Sequence, residues 1–342
     1  MSDVLLRVEQ LSKRYPGSRK SSPVRAVEDV SFEVNRGEVF SLVGESGCGK
    51  TTLGRCIARG LEASSGRVLY TTEGGETIDF LSADKADFRR IRKEIQLIFQ
   101  DPYSSLNPRM TVFDIISEPL RANFKLSRRE LEERVTAIAE QTGLNPAYLR
   151  RYPHAFSGGQ RQRIGIARAL VTEPKLVICD EAVSALDVSI QAQIINLLKD
   201  LQQQLGMTYI FISHDLSVVE HISDRVAVMY LGRIVELAPK EALFARPMHP
   251  YTESLLSAVP IPDPDGKRER ILLEGEVPNP AHPPSGCPFH PRCRFRTERC
   301  AAEIPVLREA SAGRLTACHY AAELDLKGAP REGADLKEEV ML

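Results

Sequence analysis

The stretch Gly44-Glu-Ser-Gly-Cys-Gly-Lys-Thr51 constrains this chain more than any other. It has the form G-x-x-x-x-G-K-[S/T], and each fixed position has a physical reason. Glycines let the backbone turn tightly and bring its N–H groups up to an anion. Lys50 would set a point charge where the β- and γ-phosphates of a nucleotide lie, and the Thr51 hydroxyl is a hard donor suited to Mg²⁺. Residues 38–43 (EVFSLV) form a short apolar run, and the residues from Thr51 to Gly60 read as a helix. The order is therefore strand, loop, helix, as a phosphate site requires. A glycine-rich surface turn is the competing reading. The expected fold class is α/β.

The bulk numbers leave room for this and exclude other classes. With 342 residues the chain can hold one large domain and a smaller one. A 42% hydrophobic and 27% charged composition fits a soluble globular protein. The formal net charge of −1 gives no global basic field to argue for nucleic acid. No apolar run approaches the roughly 18 residues that cross a bilayer, and MSDVLLRVEQ does not read as a signal peptide. A cytosolic chain is expected.

Further along, the chemistry recurs at strand ends. Val30, Phe32 and Val34 alternate with polar residues, so residues 4–43 read as β structure. Between two of these strands, Tyr15 precedes a Pro-Gly turn, where an aromatic ring could stack on a base. Residues 94–99 (EIQLIF) are a short strand ending at Gln100, and the two prolines of 101–109 make that segment loop. Ser127 with Glu130 is a capping box, and Gly143 stands where that helix would stop. Phe156-Ser-Gly-Gly-Gln-Arg-Gln-Arg163 is a second glycine-rich turn feeding a helix, a possible anion site as well as an ordinary capped start.

Residues 175–179 (KLVIC) run straight into Asp180-Glu181, and two carboxylates after an apolar strand suggest Mg²⁺ and an attacking water. Ser184-Ala-Leu-Asp187 opens the next helix, and TYIFI (208–212) leads to Ser213-His214. Gly44, Gln100, Asp180 and His214 thus all follow apolar strands, the side of an open parallel sheet on which ligands bind. Val226–Tyr230 and Arg233–Leu237 form a strand pair turning at Leu231-Gly232.

From about Arg246 the composition changes. Twelve of the 22 prolines lie between Pro247 and Pro305, so this part is not expected to be mainly helix or sheet. His249-Pro-Tyr-Thr252 reads as the start of one short helix, and the residues from Ala321 as a polar, frayed tail. Cys48, Cys56 and Cys179 are scattered, with Cys48 placed near a helix start where a thiol could be reactive. Cys287, Cys293, Cys300 and Cys318 are crowded together, which in a reducing compartment favours a metal over disulfides.

Taken in order, Tyr15, Gly44–Thr51, Gln100, Ser157–Gln160, Asp180–Glu181, Ser184–Asp187 and His214 resemble the ATP-binding subunits of ABC transporters. The resemblance covers residues 4 to about 240. SLNPR after Gln100, the HPYT–LLSAVP segment and GCPFHPRC make the chain similar to the oligopeptide/dipeptide importer subfamily, and within it to the F-type of two paired ATPases.

The resemblance implies a P-loop NTPase of ABC type: a RecA-like parallel core with an antiparallel β subdomain and a helical subdomain over about 101–165. The nucleotide domain would span 1–245, the Pro/Cys-rich C-terminal domain 246–320 and a flexible tail 321–342. ATP and Mg²⁺ would be the ligands, in an ATPase energising solute import. Tyr15 would stack on adenine. Gly44, Glu45, Ser46, Gly47, Cys48, Gly49, Lys50, Thr51 and Thr52 would hold phosphates. Thr51, Gln100 and Asp180 would hold Mg²⁺. Glu181 would polarise water, while His214, Gln100 and Lys50 act on the γ-phosphate. Ser157, Gly158, Gly159 and Gln160 would close over ATP bound to an opposing subunit, with Asp187 helping to join the halves. Phe156 and Ala182 depart from the usual leucine and proline without removing a chemical group.

The implied partners are a second ATPase subunit (a paralogue or a copy), two transmembrane permeases and, indirectly, an extracytoplasmic binding protein, with no nucleic acid. The implied place is the cytoplasmic face of the inner membrane. The cysteine spacing C-x5-C-x6-C-x17-C fits neither zinc ribbons nor zinc fingers. Members of the subfamily carry a 4Fe–4S cluster at such a motif, and Arg292, Arg294, Arg296 and Arg299 could offset its charge. Zinc with help from His290 or His319, and unligated thiols, stay open. So do nickel or another non-peptide cargo, a soluble ABC ATPase acting on ribosomes or DNA, and an iron–sulfur redox protein.

Overall fold

The protein is described by a computed structural model over residues 4–17, 22–101, 103–259 and 270–329. The chain opens with strands β1 (Val4–Tyr15), β2 (Val24–Asn35) and β3 (Val39–Val43), then helix α1 (Lys50–Ile57). Next come β4 (Ser65–Thr71), β5 (Thr77–Asp79), α2 (Lys85–Glu94) and β6 (Ile95–Ile98). Three helices follow: α3 (Val112–Asn123), α4 (Arg128–Gln141) and α5 (Gly158–Leu170). Then β7 (Leu176–Asp180), α6 (Val188–Leu205), β8 (Thr208–Ile212), α7 (Leu216–Ile222), β9 (Arg225–Tyr230) and β10 (Arg233–Pro239) complete the main body. The remainder holds α8 (Lys240–Ala245), α9 (Pro250–Ser257), α10 (Glu298–Ala302), β11 (Arg308–Ser311) and β12 (Arg314–Thr316).

Two sheets organise these elements. An antiparallel sheet has the order β2-β1-β4-β5, and an eight-stranded sheet has the order β11-β12-β10-β9-β3-β8-β7-β6. Strands β9, β3, β8, β7 and β6 are parallel, while β10 and β12 run antiparallel to their neighbours. All five residues of β3, β7 and β8 are buried, as expected of central strands covered on both faces. Their side chains alternate between two cores. Val39, Val43, Val177, Cys179, Tyr209 and Phe211 pack with the helices. Phe40, Leu42, Leu176, Ile178, Ile210 and Ile212 face the antiparallel sheet.

Local chemistry explains where elements stop. Ser127 and Glu130 form the expected capping box of α4. Gly143, at a φ of 71°, ends it in a Schellman motif. There the Leu144 N–H reaches the Ala139 carbonyl at 2.8 Å, and the Gly143 N–H the Glu140 carbonyl at 2.9 Å. Leu231 and Gly232, both at positive φ, make the two-residue hairpin between β9 and β10.

The C-terminal part departs from expectation in two ways. Beyond the short helix α9, it supplies β12, which pairs Thr316 with Glu236 and Leu315 with Leu237 and so extends the main sheet. Its Tyr251, Leu256, Phe289 and Cys300 belong to the same core as the nucleotide half. The supposed tail from Ala321 also docks, as far as Ala329. Leu326 is buried, the Lys327 N–H donates to Glu253 Oε1 at 2.9 Å and the Ala329 N–H to the Phe244 carbonyl at 2.7 Å. Residues 330–342 of that expectation lie outside the described residues.

Candidate functional site

The loop from Gly44 connects β3 to α1, which begins at Lys50, one residue before the sequence suggested. Gly49 holds a φ of 106°, and a Cβ there would run into the Ala26 carbonyl oxygen, so no other residue fits. The buried Lys50 ammonium donates to the carbonyls of Gly44 at 2.8 Å and Glu45 at 3.0 Å, which seats its charge inside the loop. Thr51 Oγ1 donates to Asp180 Oδ1 at 2.7 Å. The other oxygen, Asp180 Oδ2, is buried with no hydrogen-bond partner, and the Arg55 guanidinium stands 3.6 Å away. Burial raises the Asp180 pKa, while the Thr51 hydroxyl and Arg55 pull it back down. A hydroxyl beside a carboxylate oxygen that lacks a donor is a hard-oxygen pair suited to Mg²⁺.

Parallel pairing sets Asp180 beside Ile212, and the Glu181 N–H donates to the Ile212 carbonyl at 3.1 Å. Glu181 adopts a φ of 48°, a left-handed conformation costing a non-glycine residue about 1–2 kcal/mol. That turn aims its carboxylate between two neighbours. Gln100 Nε2 donates to Oε2 at 2.7 Å, and His214 Nδ1 lies 3.4 Å from Oε1. Gln100, Asp180-Glu181 and His214, read from three separate segments, therefore form one cluster with Thr51.

Tyr15 closes β1 opposite Val24, near the Ala26 that touches Gly49. Its ring is exposed, with the Lys13 ammonium 5.2 Å above it. Ser157 is the N-cap of α5, in a second capping box. The Gln160 N–H donates to Ser157 Oγ at 3.3 Å, and the Ser157 N–H to Gln160 Oε1 at 3.0 Å. A Cβ on Gly159 would meet Ile190 Cγ2 at 2.5 Å, so this turn abuts the start of α6, which Asp187 caps through the Ile190 N–H at 3.0 Å. Among the described residues no hydrogen bond joins Ser157–Gln160 to Lys50, Thr51, Asp180 or Glu181.

Comparison with known proteins decides what shares this arrangement. A family model described as "ABC transporter" matches residues 27–184, and one described as "Oligopeptide/dipeptide transporter, C-terminal region" matches 235–300. "Probable peptide ABC transporter ATP-binding protein y4tS" of Sinorhizobium fredii is 57% identical, over 94% of this chain and 91% of its own length. The chain belongs to the ABC transporter family. "Oligopeptide transport ATP-binding protein AppF" of Bacillus subtilis is 50% identical over 93% of this chain and 97% of its own. Among solved ABC structures, cbiO1 from Clostridium perfringens, part of the complex cbiONQ, aligns with a TM-score of 0.61 at 32% identity, over 71% of this chain and 91% of its own. The cassette MJ0796, in a dimeric post-hydrolysis state bound to ADP and Pi, aligns with 0.61 at 26%, over 69% and 99%.

This ABC chain also carries contacts that sequence reading missed. The Glu45 N–H donates to Tyr251 Oη at 2.8 Å, and the Arg292 guanidinium grips the Glu45 carboxylate at 2.8 and 3.1 Å. Tyr251 and Arg292 lie over 200 residues from the loop, and although the HPYT and GCPFHPRC segments that hold them stand out in the sequence, nothing local ties either residue to Glu45. The arginines expected to offset a cluster's charge are engaged elsewhere. Arg292 pairs with Glu45, Arg294 with Glu253 and Arg299 with Glu303, while Arg296 donates to the Pro291 carbonyl. Cys48 is buried, which pushes its thiol pKa up and removes the basis for a reactive thiolate.

Cys287, Cys293, Cys300 and Cys318 do line one small cavity of about 20 Å³, with Phe289, Phe295, His290 and His319. Burial pushes the Cys287 thiol up to about 12 and the Cys318 thiol to about 11. Among the described residues, however, no group of three or more His, Cys, Asp and Glu side chains is arranged to hold a metal ion. The expected 4Fe–4S centre has its four thiols on one cavity, but not a formed ligand set.

Proposed function

We propose that this chain is the ATP-hydrolysing subunit of a peptide importer, working against the cytoplasmic face of a membrane as one of two nucleotide domains. The observation that carries the catalytic assignment is the Glu181 carboxylate held between Gln100 and His214 beside the Thr51–Asp180 pair. The loop from Gly44 to Thr52 cradles the phosphates, with Lys50 adding charge at the β- and γ-positions. Thr51 and Asp180 would hold Mg²⁺, with Gln100, bonded to Glu181, as a further ligand. When bound, the ion neutralises charge developing on the phosphate oxygens. Glu181 orients and polarises the attacking water, His214 positions the γ-phosphate and Tyr15 stacks on the base. Catalysis is then mainly positioning and charge stabilisation.

Similarity along nearly the whole length to proteins named for peptide and oligopeptide transport supports the cargo class. No helix among the described residues is long and apolar enough to cross a membrane, and the same similarity supports permease subunits as partners. Exposed Phe99 and Tyr103, flanking Gln100, offer them an apolar contact. Glu181→Gln is expected to keep ATP binding while reducing turnover by at least about a hundredfold. Hydrolysis near the normal rate in that variant would remove Glu181 from the mechanism.

The cysteine quartet is proposed as a metal staple for the Pro-rich segment, 4Fe–4S before zinc. Its support is the convergence of four thiols on one cavity. Protein purified without oxygen is expected to contain iron and sulfide and to absorb visible light, both lost in Cys287→Ser. A colourless, metal-free chain with normal folding would leave the thiols unligated.

A further inference from the structure

Glu45 occupies one of the freely varying positions of the phosphate loop, yet the C-terminal part holds it at two points. Its backbone N–H donates to Tyr251 Oη at 2.8 Å. Its carboxylate receives Arg292 Nη1 at 2.8 Å and Nη2 at 3.1 Å, a bidentate fork. The Arg292 side chain is only 7% exposed, and Tyr251 is fully buried.

Both anchors are fixed from behind. Tyr251 sits in the first turn of α9. The Glu236 carboxylate ties the start of that helix down by accepting the N–H groups of Met248 at 2.8 Å and His249 at 3.0 Å. The rings of Tyr230, Tyr251 and Phe289 pack with centroids 4.7–5.4 Å apart, and the Arg292 guanidinium lies 6.0 Å from the Tyr230 ring. On the other side of the clamp, the Glu45 carbonyl accepts the Lys50 ammonium. The gripped residue is thus one of the two that seat the loop's lysine.

Charge adds a second argument. Glu45 places a carboxylate inside a loop meant for a polyanion. Left uncompensated, it would repel the phosphates at short range in a partly dry site. Arg292 cancels that charge at its source.

We infer that Arg292 and Tyr251 are positioning residues for the phosphate loop. They fix Glu45, keep the lysine seat in register and neutralise the loop's own carboxylate, and so set affinity for the phosphates of ATP. The inference rests on the ATP-site reading above. It assigns the C-terminal part a role in nucleotide binding, exerted through Glu45.

The test uses the full chain, with Kd for a fluorescent ATP analogue, KM and kcat for ATP, and thermal unfolding measured together. Arg292→Gln is expected to raise Kd and KM about tenfold or more, with kcat much less changed because the Glu181 cluster is untouched. Tyr251→Phe, which keeps the ring and removes the acceptor, is expected to raise both about three- to tenfold. The double variant Glu45→Gln with Arg292→Gln, which removes both charges, is expected to recover most of the loss. A purely structural pair would show its loss and rescue in the unfolding temperature and not in Kd. Should Arg292→Gln fail to fold, Tyr251→Phe and Arg292→Lys, which keeps charge but loses the fork, decide the matter. Wild-type Kd and KM in the folded variants, or a loss seen only in unfolding temperature, would overturn the inference. A wild-type chain that binds no ATP would instead overturn the ATP-site reading beneath it.

Discussion

At the scale of single residues, His249 shows how a buried group earns an unusual role. It is the N-cap of α9, and its Nδ1 accepts the Tyr251 N–H at 3.1 Å, a task only the neutral ring can perform. Burial lowers its pKa to about 3. In the unfolded chain the ring titrates near its ordinary value of 6.5. Between those values the unfolded state binds the proton and the folded state does not. The contribution of His249 is therefore present above pH 6.5 and lost as pH falls below it, by up to about 1.4 kcal/mol per pH unit. Glu236 lies beside it, and burial raises its pKa, which acts with the opposite sign. The informative quantity is the difference between wild type and His249→Asn, which can cap without titrating. Unfolding free energies from urea melts should diverge less between pH 7.5 and 4.5 in the variant. Parallel pH profiles would mean that the histidine is not the group being protonated.

At the scale of elements, most of the nucleotide half was legible because local chemistry and tertiary need agree. The alternation in β2, the all-apolar runs of β3, β7 and β8, and the boxes at Ser127 and Ser157 each state a fold preference within a few residues. The site followed from them, since Gly44, Gln100, Asp180 and His214 each close a strand or lie just beyond one. The C-terminal elements were much less legible. Strand β12 is three residues long, and beyond its hairpin with β11 it joins the main sheet by pairing with Glu236 and Leu237, about eighty positions earlier. Prolines there argued against sheet, and β11 and β12 indeed form only beyond Pro305, where the proline run ends. The roles of Glu45 and the arginines were hidden for the same reason. A fork spanning 247 residues leaves no periodic trace in the sequence.

At the scale of the whole molecule, the phosphate loop and the Glu181 cluster lie together, while Ser157–Gln160 keeps to its own helix start. Its hydrogen bonds close within its capping box, and its glycines pack toward Leu186 and Ile190. On the reading proposed above, a helix start with exposed Ser157 and an N-terminal dipole would meet the γ-phosphate of ATP bound to another chain. The proposed reading is then one of half-sites that two nucleotide domains complete. The isolated chain should bind ATP as a monomer but turn it over slowly. The rate should climb when a second nucleotide domain, a copy or a paralogue, is added. With Glu181→Gln and ATP the pair should persist long enough to be seen by light scattering, because closure proceeds and hydrolysis does not release it. Full turnover by a species that stays monomeric in ATP would show that the loop and the Glu181 cluster suffice without a lid from a second chain.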